Sequence, residues 1–271
     1  MNRGLLAKTW LETRSSTLGF ALGLALAEGI LAFVIPIMLS SYGQQLIQLP
    51  FVQRFIAGLL GTASIEGLGT NVLRSVAWVH PMVLAIFWAH AITFGTRMPA
   101  GETDRGTIDI LLGLPVTRFA ALVSDGVVCA ASALLVVAAA LIGNLIGGSL
   151  STTTPQTPFA VTLSIAANFY ALYVAVAGLS YWVSVCSDRR GRAVAVTIAF
   201  VLASFLLNFV AQLWTPARPF GAASLLEYYR PLQLVQNGAL PIRDISVLFA
   251  FGALCWTAAA VVFSKRDLRT S

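Results

Sequence analysis

The sequence predicts an all-α membrane protein with six transmembrane helices, an N-terminal interfacial helix and one short helix in a cytoplasmic loop. Three observations predict it. Of 271 residues, 58% are hydrophobic, against roughly 45–50% in soluble domains. The apolar residues fall in long unbroken runs, whereas strands of a membrane barrel would alternate apolar and polar positions. The basic residues crowd into the connections of one side, as they do in multi-pass helical proteins.

Taken in order, residues 1–17 place Leu5, Leu6, Trp10 and Leu11 among Arg3, Lys8, Glu12 and Arg14, a pattern suited to a helix lying in the interface, though a tail with no partner would look similar. Crossing roughly 30 Å of hydrocarbon takes about 20 apolar residues. Six stretches meet that length, at about 18–41, 73–95, 119–147, 159–186, 193–214 and 245–263. The first far exceeds a signal-peptide core of roughly 7–15 residues, so it is expected to be retained. In the first outer connection, "LPFVQRFIAGLLGT" is apolar but too short to span, and either lies on the surface or dips in. The last outer connection, 215–244, is half-apolar and broken by Pro219 and Pro231, which reads as a re-entrant or capping pair of helices around Tyr228 and Tyr229. No internal repeat is visible, so residues 1–271 are expected to form a single transmembrane domain.

With the N-terminus inside, Arg3, Lys8, Arg14, Arg97, Arg105, Arg118, Arg189, Arg190, Arg192, Lys265, Arg266 and Arg269 are internal. Arg54, Arg74, Arg218, Arg230 and Arg243 are external. Twelve against five, of seventeen, predicts that both termini are cytoplasmic in the cell (inner) membrane. The net charge of +6 then reflects topogenesis and anionic membrane lipid, and gives no case for nucleic acid. Cys129, Cys186 and Cys255 fall in or at the end of spans, a placement of packing residues rather than of a disulfide framework or a zinc site.

The segment "GETDRGTIDILLGLPVTR", 101–118, packs three acids and two arginines into a protein that is 10% charged. Thr107 can cap a short helix whose first turn carries Asp109, where the helix dipole favours a carboxylate. Ile108, Leu111 and Leu112 share one face at helical spacing, and Gly113 and Pro115 end the run. So short an amphipathic helix suits docking to another protein; a solvated connector would have the same composition.

Glu102, then Arg105-Gly106-Thr107, then Leu111-Leu112, then Pro115-Val116-Thr117-Arg118 resembles the cytoplasmic signature of ABC-2 type permeases, the transmembrane subunits of type-2 ABC exporters. The departure is Thr117 for the more usual serine, which keeps the hydroxyl. The closing "FSKRDL" and the layout of six spans with both ends inside are similar too. The resemblance implies that the segment, including Ile108, is a coupling helix inserting into a cleft of a separate ABC ATPase. It also implies two ATPase copies and a second permease copy or a related permease, with export as the direction. The only lysines, Lys8 and Lys265, sit outside any GxxxxGK[ST] context, so no cofactor is expected in this chain, with ATP and Mg on the partner. "CSDRRGR", 186–192, is either a second docking element or a topological signal alone.

Glu28 lies mid-way along the first span, where a charged side chain costs roughly 2.5–3.5 kcal/mol. It either lines a translocation path or makes an interhelical hydrogen bond, and a proton-coupled secondary transporter using Glu28 is the alternative reading. Such carriers usually show internal repeats. Asp125 is expected to pair with Arg118, two turns earlier. His80 and His90 face sides about 80° apart on one helix and more than a turn apart in height, so they read as hydrogen-bonding imidazoles rather than metal ligands. Asn144, Asn168 and Asn208 are candidate interhelical links. No serine elbow, HExxH or paired carboxylates suggest an active site.

Overall fold

The computed structural model describes residues 3–41, 49–60, 62, 75–151 and 157–266. Helix α1 runs unbroken over Arg3–Ser41, about 58 Å at 1.5 Å per residue, nearly twice the hydrocarbon thickness. The separate interfacial helix expected over 1–17 is therefore corrected: among the described residues its polar turns continue the first span. The reason is a stripe at spacing four, Leu5, Thr9, Thr13, Thr17 and Ala21, buried from the third residue of the helix onwards. It keeps one face of α1 on its neighbours from end to end, and no proline interrupts the helix before Pro36.

The main neighbour of α1 is α6 (Arg118–Leu150). Thr117 caps α6, its hydroxyl accepting from the Ala120 amide at 3.1 Å, so a serine there would do the same work. The two helices close to backbone contact where a Cβ on Gly143 or Gly147 would strike the Ala25 or Gly29 carbonyl. Small residues allow such approach where the bilayer supplies no hydrophobic drive between helices. The same device joins α7 (Phe159–Val185) to α10 (Ile242–Lys265) through Gly178 and Gly252.

The second expected span is two pieces, α3 (Ser75–Val79) and α4 (Pro81–Gly95). His80 breaks it in an extended conformation. Pro81 lacks an amide and restricts the residue before it, and the His80 Nδ1 accepts from the Met82 amide at 3.2 Å. Among the described residues five helices, not six, are thus long and apolar enough to cross a membrane: α1, α6, α7, α8 (Arg190–Leu213) and α10. Helix α2 (Pro50–Leu60) does not span; it lies against α8, Gly58 facing the Phe209 ring.

The polar loop contributes α5 (Ile108–Leu112). At the opposite end, the connection between α8 and α10 folds into 3-10 segments Thr215–Ala223 and Leu225–Tyr228 and helix α9 (Pro231–Asn237). It is a partly buried cap: Leu225, Leu226, Tyr229, Leu232 and Leu234 all join the core. The Tyr229 hydroxyl donates to the Trp78 carbonyl at 3.1 Å and Asn168 donates to the Tyr228 carbonyl at 3.1 Å.

Candidate functional site

Nearly all the buried charge of the molecule gathers at the end that carries the polar loop. Arg97, in the turn after α4, is 9% exposed and reaches two helices at once. Its Nη2 donates to Asp125 on α6 and to the Thr9 hydroxyl of α1 at 3.2 Å, and its Nη1 donates to Glu12 of α1. The second oxygen of Asp125 accepts from Tyr181 of α7. The carboxylate that the sequence assigns to Arg118 thus belongs to Arg97. Arg118 instead donates to the Phe263 carbonyl at 3.2 Å and to that of Arg266, because its helix end abuts the end of α10.

Glu102 extends this network into the loop. It is 4% exposed, accepts from Thr107 and from Arg105 at 3.0 Å, and lies 3.6 Å from Lys8 and 4.0 Å from Arg97. Burial raises its pKa, but the Thr107 hydroxyl and then Lys8, Arg105 and Arg97 outweigh it, leaving the carboxyl below its ordinary value. Thr107 occupies the N-cap position of α5, yet its side chain makes no cap bond there. The expected cap is replaced because the hydroxyl is spent on Glu102. Gly106 turns the chain between the two with φ of 68°, a left-handed conformation that L side chains adopt at a cost of about 1–2 kcal/mol. The "RGT" triplet is thus a charged partner, a hinge and a hydroxyl folded back on one glutamate.

The orientation of α5 differs from the expected one. Ile108 and Leu111 are 0% and 5% exposed and belong to the chain's own core; they are not a face turned outward. The side chain of Leu112 lies outside the described residues. What the loop presents is Ile110, 72% exposed, with Asp109, Gly113, Leu114 and Pro115. Helical spacing shows which residues share a face but not which way it looks. Sequence reasoning also missed Arg97 as a partner of the loop, and Glu12 and Tyr181 as the partners that hold Arg97 and Asp125. The available signal was an arginine directly after an apolar helix and a carboxylate in the first turns of another.

The remaining polar residues sit elsewhere. Glu28 is fully buried at the glycine crossing of α1 with α6, where Asn144 donates to its Oε2 at 2.8 Å; of its two alternatives, this geometry has the interhelical bond. His90 is 2% exposed, between the Thr17 hydroxyl at 3.3 Å and the Tyr173 hydroxyl at 2.8 Å. The 186–192 segment is drawn to the same end as the loop: Arg266 bonds the Val185 carbonyl and Asp188, and Arg190 donates to the Thr93 carbonyl at 3.1 Å.

A long-helix bundle with a charged loop locked onto its own first helix defines a multi-pass membrane protein built around one polar end. Residues 7–268 match the family described as ABC-2 family transporter protein. The chain belongs to that family and is an ABC transporter permease. Searches of curated proteins and of solved structures gave no match.

Proposed function

We propose that the chain is the membrane-spanning subunit of an ATP-driven exporter and that residues 102–115 are its coupling element, docking on a separate ABC ATPase. The observation that carries this reading is the pairing of a rigid root with an exposed tip. Glu102, Thr107 and Gly106 tie the loop to α1 and, through Arg97, to α6, while Ile110 stands 72% exposed and Leu114 48% exposed at its outer edge. Force applied to such a tip is passed to two long helices rather than absorbed by a slack loop. Docking is assigned to Asp109, Ile110 and Leu114; Ile108 and Leu111 anchor the element from inside.

In this reading the charged end is cytoplasmic, as the positive-inside bias supports, and both termini lie there. Helices α3 and α4 together make the sixth crossing, since residues 75–95 would be about 31 Å long if helical throughout. Two permease copies, or this chain and a relative, assemble with two ATPases that carry the ATP and Mg. Alternating access then moves substrate between the permeases.

The test is copurification of the ATPase, alongside ATP hydrolysis in lipid. Ile110→Asp and Leu114→Asp place a charge on the docking tip and are expected to lose the ATPase while the permease stays folded, because burying an unpaired charge costs several kcal/mol. Leu111→Asp is expected to lower the yield and melting temperature of the permease itself. Should both tip variants retain the ATPase and its coupled hydrolysis, the coupling assignment fails and the proton-coupled reading through Glu28 returns.

A further inference from the structure

A cavity of about 390 Å³ opens at the charged end between α1, α4, the 97–105 turn and the start of α8. Its size lies within the range of small-molecule sites, about 300–1,000 Å³. Three guanidiniums line it, those of Arg97, Arg105 and Arg190, against a single lining carboxylate, Glu12. Glu12 is already neutralised by Lys8 at 3.1 Å and by Arg97. Arg105 is paired with Glu102. Arg190 differs from these charged neighbours: among the described residues no carboxylate stands within ion-pair distance of it, and its one hydrogen bond goes to the Thr93 carbonyl at 3.1 Å. Its charged surroundings are Arg97 and Arg105, which repel it, and Asp104, which attracts it.

A second observation points the same way. Arg97 is 9% exposed and lines the cavity, yet its Nε has no hydrogen-bond partner. A buried donor on a charged group that stays unbonded is costly and rarely left so. The Ser16 hydroxyl stands exposed at the rim, and His90 with Phe94 forms an inner wall. The arginines thus share one cavity with the hydroxyl residues Thr13, Thr17 and Thr93, and His90 and Phe94 supply its aromatic part.

We propose that this cavity binds a phosphate group, seated on Arg190 and the edge of Arg105 against the charge of Arg97, with room beyond it for the body of the ligand. Planar guanidinium forks match a phosphate in a way that isolated ammonium groups do not. An incoming phosphate anion would relieve the mutual repulsion of the three arginines without disturbing the Arg97–Asp125 pair. The phosphate can come from a lipid headgroup or from a soluble ligand, and the two sources are separable. The site needs no ATPase, so it stands or falls apart from the coupling element.

The full-length chain, purified without the ATPase, is offered equal amounts of phosphatidylglycerol and phosphatidylcholine with the same acyl chains, and bound lipid is counted by native mass spectrometry. In parallel its melting is followed in inorganic phosphate against chloride at matched ionic strength. Wild type is expected to prefer phosphatidylglycerol, or to be stabilised by phosphate; the first outcome means a lipid headgroup, the second a soluble ligand, and either supports the site. Arg190→Ala should weaken the preference roughly tenfold, the order of one lost charge-assisted contact. Ser16→Asp, at an exposed rim position, should do likewise by repulsion and decides the matter if Arg190→Ala folds poorly. Arg192→Ala removes an exposed arginine two residues away and should leave binding unchanged. The proposal is overturned if neither probe is preferred by wild type, if Ser16→Asp binds as wild type does, or if Arg192→Ala causes the same loss.

Discussion

The two ends of the bundle are held by different chemistry. At the loop end a buried carboxylate, Asp125, has a guanidinium on one oxygen and a phenol on the other, and the guanidinium goes on to Glu12 and Thr9. At the cap end the buried carboxylate is Glu28, held by one amide, with its Oε1 unbonded. The cap itself is fixed by neutral bonds to carbonyls, Tyr229 to Trp78 and Asn168 to Tyr228, and by Leu225, Leu226 and Leu232 in the core. Among the described residues its one ion pair, Arg230 with Glu227, is local and partly exposed. Charge networks join elements distant in sequence with fixed geometry, whereas apolar burial is non-directional. Under the proposed coupling, the first suits an end that moves as a unit with an ATPase, and the second suits a cap that stays in place.

The largest expected effect breaks that contrast at its root. Arg97→Ala strands Asp125 without its cation, and removing one partner of a buried pair typically costs about 3–5 kcal/mol. Glu28→Gln keeps an acceptor for Asn144 and is expected to cost under about 1 kcal/mol. Thermal unfolding of the two purified variants in the same lipid-detergent mixture compares them directly; equal losses would mean that the two carboxylates are held alike.

Acid should sharpen the contrast by a smaller amount. The folded pKa of Glu102 lies below the ordinary 4.5, so its contribution is fully present above the unfolded value and is lost as pH falls through the folded one. Wild-type stability is therefore expected to decline as pH is lowered from about 6 to below about 4. Glu102→Gln should begin lower at pH 6 and decline less. Melting curves across that range check it, and parallel declines in the two proteins would remove Glu102 from the account.

The smallest effect is at the cap. Tyr229→Phe removes one hydroxyl bonded to the Trp78 carbonyl, and a single such bond contributes about 1 kcal/mol. The expected result is a modest drop in melting temperature with ATPase copurification unchanged. A loss of ATPase capture in this variant would show that the two ends are coupled more tightly than their chemistry suggests.

Much of this was legible in the chain. Hydropathy marks the long helices because crossing a bilayer demands length. Pro81 was the visible warning that the second span is broken, since its ring forbids both the hydrogen bond and the preceding helical conformation. The direction of α5 was not legible. Ile108 and Leu111 share a face by spacing alone, and only the packing of the loop onto the rest of the chain turns that face inward and leaves Ile110 outside. Nor was the interfacial helix separable from the first span, because the stripe from Leu5 to Ala21 gains its meaning from the helices packed against it.

By itself the sequence determined that the chain is helical, that it crosses a membrane several times, and that a polar loop interrupts it at 101–118, since these follow from composition and period along one strand of text. Only the tertiary structure decided which charge meets which. Arg118 lies seven residues from Asp125 and Arg97 lies 28 away, yet the distant arginine makes the pair. The physical reason is that a buried carboxylate takes the cation that the packing of separate helices brings to it, and sequence distance carries no information about that packing.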